Sequence, residues 1–344
     1  MKLLLVCGGQ STEHSVSRMS CTNIRKKIDD TRYEVTVLGI DQEGTWYHLD
    51  DEVKDYASDN WLNNAKEVKE IFEFLRSFDV IFPVLHGMYG EDGTIQGLFE
   101  MAGVPYVGCR VNDSANAMDK VITKKLIDAA GIKQVPSLYV KKRFDDEFVI
   151  VNDDTTEEKD IVKKVMDTFG VPCFIKASRS GSSVGCYKVN KEEDILPKLK
   201  EAGHYDRKIL IEKSINATEL ECAVLGNDDI ISSRVGQILP HGEFYTFESK
   251  YEDEESATCI PARVDQSIQD TIRKEAVRAF KAIDGHGLAR CDFFLDKDTG
   301  DLYLNELNTL PGFTNISMYP QLMEDFGISQ EELINRLIAL ALER

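Results

Sequence analysis

Apolar positions along the chain change period again and again, and the changes outline its elements. Leu3 to Cys7 is an unbroken apolar run, as a strand buried on both faces requires. Gly8-Gly9-Gln10-Ser11 then turns into a helix with Val16, Met19, Ile24 and Ile28 near helical spacing. Val35–Ile40 and Val80–Leu85 read as two more strands, and Lys66 to Phe78 as a helix with Val68, Ile71, Phe72 and Leu75 on one face. HGMYGEDG leads into a helix carrying Ile95, Leu98, Phe99 and Ala102, and VPYVG follows as a short strand. This alternation predicts a parallel, Rossmann-like sheet with helices on both faces. The acidic stretch 50–60 reads as an exposed connection.

The character changes after Ala117. MDKVITKKLIDAAG reads as one basic-faced helix ending at Gly131, and a helix through Ile161, Val165 and Phe169 stops at Gly170. CFIKAS and VGCYKV read as strands joined by the loop RSGSS, and KILIEK, TELECAVLG and DIISSRVGQIL as further strands. A helix through Ile272, Ala276 and Phe280 precedes a hairpin, and a last helix is opened by the capping box Ser329 to Glu332. The expected fold is mixed α/β and α+β: an α/β unit over residues 1–112, then two α+β units over 113–212 and 213–344.

The hairpin CDFFLDKDTGDLYLNELNTLPGF, Cys291 to Phe313, is the most informative segment. With its turn centred near Thr299, Asp292 lies opposite Glu306, and period two puts Leu302, Leu304, Glu306 and Asn308 on one face. Two carboxylates and an amide oxygen at an open strand end suit Mg²⁺, which takes one or two carboxylates and completes its shell with water and phosphate oxygens.

Composition narrows the classes. A net charge of −19 over 344 residues argues against a nucleic-acid partner, which needs a basic face. No apolar run is long enough to span a membrane. The eight cysteines show no CxxC pair, and Cys7, Cys173, Cys222 and Cys291 lie inside apolar runs, as reduced core residues of a cytoplasmic protein would.

Lys176 closes an apolar strand and must find a partner or solvent. Six residues on, Ser182 and Ser183 sit in a glycine-rich loop between Gly181 and Gly185 that could turn N–H groups towards phosphate, or simply close a hairpin. Glu212 ends one strand and Glu219 begins the next; they could frame an adenosine, or be two solvent-facing strand ends.

Taken together, STEHSVS, HGMYGEDGTIQG, MDKVITK, GSSVG, ESKY and NELNTLPGFTNISMYP resemble the D-alanine–D-alanine ligase family of the ATP-grasp superfamily, in order from about Leu3 to about Leu340. The resemblance implies an ATP-grasp fold and a ligase that uses ATP, two molecules of D-alanine, and two Mg²⁺ ions with Mn²⁺ as a substitute. It implies that Lys120 and Lys176 hold ATP phosphates, with Ser182, Ser183 and Lys250 also contacting the nucleotide. Glu212 and Glu219, with Lys213 and Ile215 between them, would hold the adenosine. Asp292, Glu306 and Asn308 would be the metal ligands. Glu13, helped by His86, would orient the ammonium of the first D-alanine. Arg290 and the Gly312 N–H would stabilise the oxyanion. Ser182 and Tyr251 would position Glu13 and close the site, Lys250 would lie on the same covering loop, and Ser317 with Met318 would grip the second carboxylate. A homodimer serving cell-wall precursor synthesis in the cytoplasm is implied as well.

The pair Lys250-Tyr251 favours an amine over D-lactate as second substrate; the alternatives are D-serine, since one hydroxyl discriminates weakly in an apolar site, and another ATP-grasp carboxylate–amine ligase, from which Glu13, Tyr251 and Ser317 discriminate. Three positions depart from the family pattern: Ala177 follows the strand lysine where Pro is common, Ser15 stands where an acid is common, and Cys291 replaces an aliphatic residue. A dinucleotide-binding oxidoreductase fits poorly, because Gly8-Gly9 lacks the spaced third glycine. A silent binding protein would have been free to lose the charged set that is intact here.

Overall fold

A computed structural model describes residues 1–144, 146–151, 157–181, 184–239 and 257–343, in three five-stranded sheets. In the first, β1 (Lys2–Gly8) pairs in parallel with β2 (Glu34–Ile40) and β5 (Val80–Pro83). Helices α1 (His14–Lys27), α2 (Ile71–Leu75) and α3 (Thr94–Ala102) accompany it. The sheet is not wholly parallel. Asp41 to Thr45 is too short for a crossover, so β3 (Trp46–His48) returns antiparallel to β2, and β4 (Lys66–Glu67) adds to it. That pairing also shortens the expected helix over 66–78, since the Val68 N–H donates to Trp46 O at 2.8 Å and leaves only α2. The expected strand at VPYVG is reduced to one bridge between Ile81 and Tyr106.

Two helices, α4 (Val111–Met118) and α5 (Lys120–Ala129), stand where one was expected. Asp119 breaks them apart: it is extended at φ −85°, ψ 96°, and its carboxylate accepts the Ile122 N–H as an N-cap. Lys120 therefore opens a helix instead of lying within one.

The second sheet runs β7 (Phe148–Ile150), β6 (Ser137–Lys142), β10 (Lys208–Lys213), β8 (Cys173–Ala177), β9 (Cys186–Val189), antiparallel throughout. Helices α6 (Glu158–Thr168) and α7 (Ile195–Ala202) bury Ile161, Val165 and Leu199 against Val140, Ile175 and Ile209. The third sheet runs β13 (Ala257–Cys259), β12 (Ile231–Leu239), β11 (Ala217–Gly226), β14 (Gly287–Asp296), β15 (Leu302–Asn308). Helix α8 (Gln266–Ala282) covers one face with Ile272, Ala276 and Phe280.

The last helices, α9 (Met318–Asp325) and α10 (Gln330–Leu342), join the first sheet to the third. Their Tyr319, Leu322, Leu333 and Leu337 share one core with Leu3, Leu5, Ile24 and Phe82. As the capping box predicted, Ser329 Oγ accepts the Glu332 N–H at the start of α10. Cys7, Cys173, Cys222 and Cys291 are buried. Among the described residues no helix is long and apolar enough to cross a membrane.

Candidate active site

Asp292 does pair with Glu306 across β14 and β15, but the face that carries them differs from the one period two predicts. A β-bulge breaks the register after Asp292, so Leu304 pairs with Phe293 and lies in the core with Leu307, while Glu306 and Asn308 look out from the opposite face. One extra residue reverses the parity of the strand. It lets apolar and acidic side chains share a short segment without burying the acids.

That outer face holds more charge than the hairpin alone suggests. Across the third strand Glu221 stands opposite Asp292, giving a row Glu221–Asp292–Glu306, and Arg290 and Asn308 form the next rung. The Arg290 guanidinium donates to both oxygens of Asp292 at 2.7 Å, and its Nε lies 3.0 Å from Glu221 Oε2. Two carboxylates thus share one cation, and Glu221 is itself buried. Asn308 Oδ1 accepts the Leu310 N–H at 3.2 Å.

A second charged group lies on the middle sheet. Glu212 and Lys176 are diagonal neighbours on β10 and β8, and their side chains meet at 2.5 Å. Lys124, from α5, reaches the other oxygen of Glu212 at 2.7 Å. Burial alone would raise the Glu212 carboxyl, but the Lys176 and Lys124 charges outweigh it and hold it at about 2. Burial is the largest single effect on the Lys176 ammonium and lowers it, but the Glu212 charge and hydrogen bond, with the more distant Cys186 and Glu306, together outweigh it, so it stays protonated. Lys120 donates to Ser180 O at 2.8 Å, and its ammonium is 4.0 Å from Glu306 Oε2, which joins this group to the acidic row.

Glu13 caps α1 by position, yet its carboxylate makes no capping bond to the helix. The carboxylate lies against two glycines: a β-carbon on Gly87 would stand 2.7 Å from Oε2, and one on Gly181 3.3 Å away. Gly87 has φ +70°, so its lack of a side chain serves both backbone and space. Nearby, burial pushes the Glu91 carboxyl well above the ordinary range, and the Glu13 charge adds to it; Arg290 and Glu306 also act on it. These groups face one common space.

His86 is buried, and protein partners engage both ring nitrogens: Nδ1 with Leu310 O at 2.9 Å and Nε2 with Ser20 Oγ at 3.1 Å. Ser317 Oγ is turned to Thr314, accepting its N–H at 2.9 Å. A β-carbon on Gly312 would meet that hydroxyl at 2.8 Å. The Met318 side chain, at the start of α9, is buried against Gly236. Lys213, exposed, ends β10, Ile215, half-buried, lies on the short link to the third sheet, and Glu219 is half-buried near the head of β11. Ser182, Ser183, Lys250 and Tyr251 lie outside the described residues.

Lys124, Glu221, Glu91 and Ser20 escaped the sequence reading. Lys124 belongs to MDKVITK and is four residues from Lys120, on the same helix face; that spacing was a usable signal. Glu221 is two residues after Glu219, so the two share a strand face. Glu91 lies inside HGMYGEDG, so that motif was its usable signal, whereas Ser20 needed the fold.

Profiles for the two halves of one family match the chain: "D-ala D-ala ligase N-terminus" over residues 2–109 and "D-ala D-ala ligase C-terminus" over 127–339. The chain belongs to the D-alanine–D-alanine ligase family. A ligase of that name from Acetivibrio thermocellus is 44% identical over 100% of this chain and 96% of its own, and one from Caldicellulosiruptor bescii is 43% identical with the same coverage. The structure of the D-alanine-D-alanine ligase from Coxiella burnetii superposes with a TM-score of 0.86 at 34% identity, covering 100% of this chain and 94% of that one. The VanG D-Ala:D-Ser ligase of Enterococcus faecalis gives the same TM-score and identity, over 99% of both chains. The ATP-grasp fold implied by the resemblance is therefore the fold of this family member.

Proposed function

We infer that the protein joins two molecules of D-alanine into D-alanyl-D-alanine, with ATP converted to ADP and phosphate, for peptidoglycan precursor synthesis. The observation that carries this reading is the likeness to D-alanine–D-alanine ligases along the entire chain, at 44% identity to one of them. Relatives at this level carry the D-alanine–D-alanine name, which favours D-alanine over D-serine in the second subsite.

A carboxylate is a poor acylating agent. ATP removes that obstacle by phosphorylating the first D-alanine, and the amine of the second then attacks the acyl carbon, expelling phosphate. Lys120 and Lys176 would bear on the phosphates, with Glu212 and Lys124 holding Lys176 in place. Glu212 thus serves as a buried counter-ion as well as one end of the adenosine site, which would extend through Lys213 and Ile215 to Glu219. Ser182, Ser183 and Lys250 would complete the nucleotide contacts. Such a site works by positioning and by neutralising charge.

Asp292, Glu306 and Asn308 offer hard oxygen donors side by side and fit Mg²⁺, or Mn²⁺ in its place. Two such ions, when bound, would supply positive charge to the transferring phosphoryl group.

Glu13 would anchor the first ammonium. Arg290 and the Gly312 N–H would stabilise the oxyanion, a single donor being worth about 3–4 kcal/mol. Ser317 and the Met318 N–H would take the second carboxylate once Ser317 turns from Thr314. Ser182 and Tyr251 would position Glu13 and close the site. Residues 1–112 would supply the first D-alanine subsite, with ATP held between 113–212 and 213–344. A cytoplasmic homodimer completes the proposal; the six buried thiols suit a reducing compartment.

The test is phosphate release from ATP and Mg²⁺ with D-alanine, D-serine, D-lactate and L-alanine, singly and mixed. Release with D-alanine alone, and the dipeptide by mass spectrometry, is the expected result. Release that needs D-serine would move the second subsite, and silence with every D-substrate would overturn the reading.

A further inference from the structure

Loop 309–317, which carries Gly312, is gripped from the first sheet's side by hydrogen bonds that the reaction scheme leaves unused. The Phe313 N–H donates to Ser20 Oγ at 3.1 Å, and Asn23 Nδ2 donates to Phe313 O at 2.7 Å. Both main-chain groups of one residue are thus held by a single helix, α1. Ser20 Oγ also meets His86 Nε2 at 3.1 Å, and His86 Nδ1 meets Leu310 O at 2.9 Å.

Donor and acceptor counting fixes every proton in this chain. The Leu310 carbonyl can only accept, so Nδ1 carries the ring proton. Burial pushes the His86 imidazole below its ordinary value, more than the Glu13 charge raises it, so the ring is neutral and Nε2 accepts. Ser20 then gives its one hydroxyl proton to Nε2 and takes the Phe313 N–H on a lone pair. Ser20, Asn23 and His86 are all buried, where such bonds are hard to replace with water.

We infer that Ser20, Asn23 and His86 form a positioning clamp that pins Leu310 and Phe313, and so fixes the Gly312 N–H where the oxyanion forms. The inference rests on the role proposed above for Gly312. Its geometric content lies in α1. Glu13 stands at the head of that helix and Ser20 seven residues on, about 10 Å along the axis and on the same side. One rigid rod sets the distance between the anchor for the first ammonium and the donor for the oxyanion. His86 acts here through Leu310 and Ser20, since both its nitrogens are spent on them.

The test uses the full-length enzyme and the substitutions N23A and S20A. Steady-state constants are measured for ATP and D-alanine, with inhibition by a phosphinate dipeptide analogue of the tetrahedral intermediate in the presence of ATP. A loop displaced by about 1 Å can cost on the order of 100-fold in rate. Both variants are expected to lose about 10- to 100-fold in kcat and as much in affinity for the analogue, with the KM for ATP within about twofold. N23A removes one donor of the clamp and leaves Ser20 and His86 in place, so it stands in should S20A fail to fold. Unchanged kcat and analogue affinity beside a lowered melting temperature would make the contacts merely structural and overturn the clamp alone. A wild type inactive with D-alanine and indifferent to the analogue would overturn the ligase reading and the clamp with it.

Discussion

Arg290 holds both oxygens of Asp292, Nε to Oδ1 and Nη2 to Oδ2, each at 2.7 Å. A metal ion bound to Asp292 would compete with that fork, and Glu221, 3.0 Å from Nε, is placed to keep the guanidinium when Asp292 turns away. Removing Arg290 should therefore raise the affinity of the free enzyme for Mn²⁺ while abolishing turnover. R290A is expected to bind Mn²⁺ about tenfold more tightly, measured by electron paramagnetic resonance without substrates; D292N should bind it at least tenfold more weakly. Weaker binding by R290A would show that the cation supports the metal site instead of competing for it.

Lys124 and Lys176 both depend on Glu212. E212Q would leave two buried ammonium groups side by side with no counter-ion, a loss of roughly 3–5 kcal/mol. Urea unfolding should show it, together with a raised KM for ATP. K124M, which leaves the Glu212–Lys176 pair intact, should cost clearly less.

The same carboxylate makes a pH prediction. Its ordinary value of 4.5 falls to about 2 in the folded protein, so the unfolded chain takes up this proton first as pH drops. The stabilisation is complete above pH 4.5 and is lost between 4.5 and about 2, to an extent of about 3 kcal/mol. The stability gap between wild type and E212Q should accordingly shrink through that window. His86 has the same sign: its folded value lies below 6.5, so it favours the unfolded state as pH falls below 6.5.

Gly87 tests the first-substrate subsite by space alone. Its added β-carbon would stand 2.7 Å from Glu13 Oε2 at a backbone φ of +70°. G87A should raise the KM for D-alanine about tenfold or more and leave the KM for ATP within about twofold. An equal change in both would detach Glu13 from D-alanine binding.

Much of this was legible in the sequence, and the misses have local causes. The opposition of Asp292 and Glu306 followed from the hairpin turn, but the face they share did not, because the bulge after Asp292 resets the alternation. Strand β3 was invisible because three residues show no period. Asp119 is a strong N-cap residue inside a run of helix formers, and the run concealed the break between α4 and α5. Lys176 stood out as a charge ending an apolar strand, whereas its partner Lys124 looked like one lysine among several on a basic helix. The grip of Ser20 and Asn23 on Phe313 spans about 290 residues of sequence, and no local pattern could have signalled it.

The central claim, ligation through an acyl phosphate of D-alanine, is tested most directly with D-alanine labelled by ¹⁸O in its carboxylate. Attack of the second amine expels phosphate together with one carboxylate oxygen, so one ¹⁸O should appear in each phosphate released while D-alanyl-D-alanine accumulates. Phosphate free of ¹⁸O, with the dipeptide formed or not, would contradict the account.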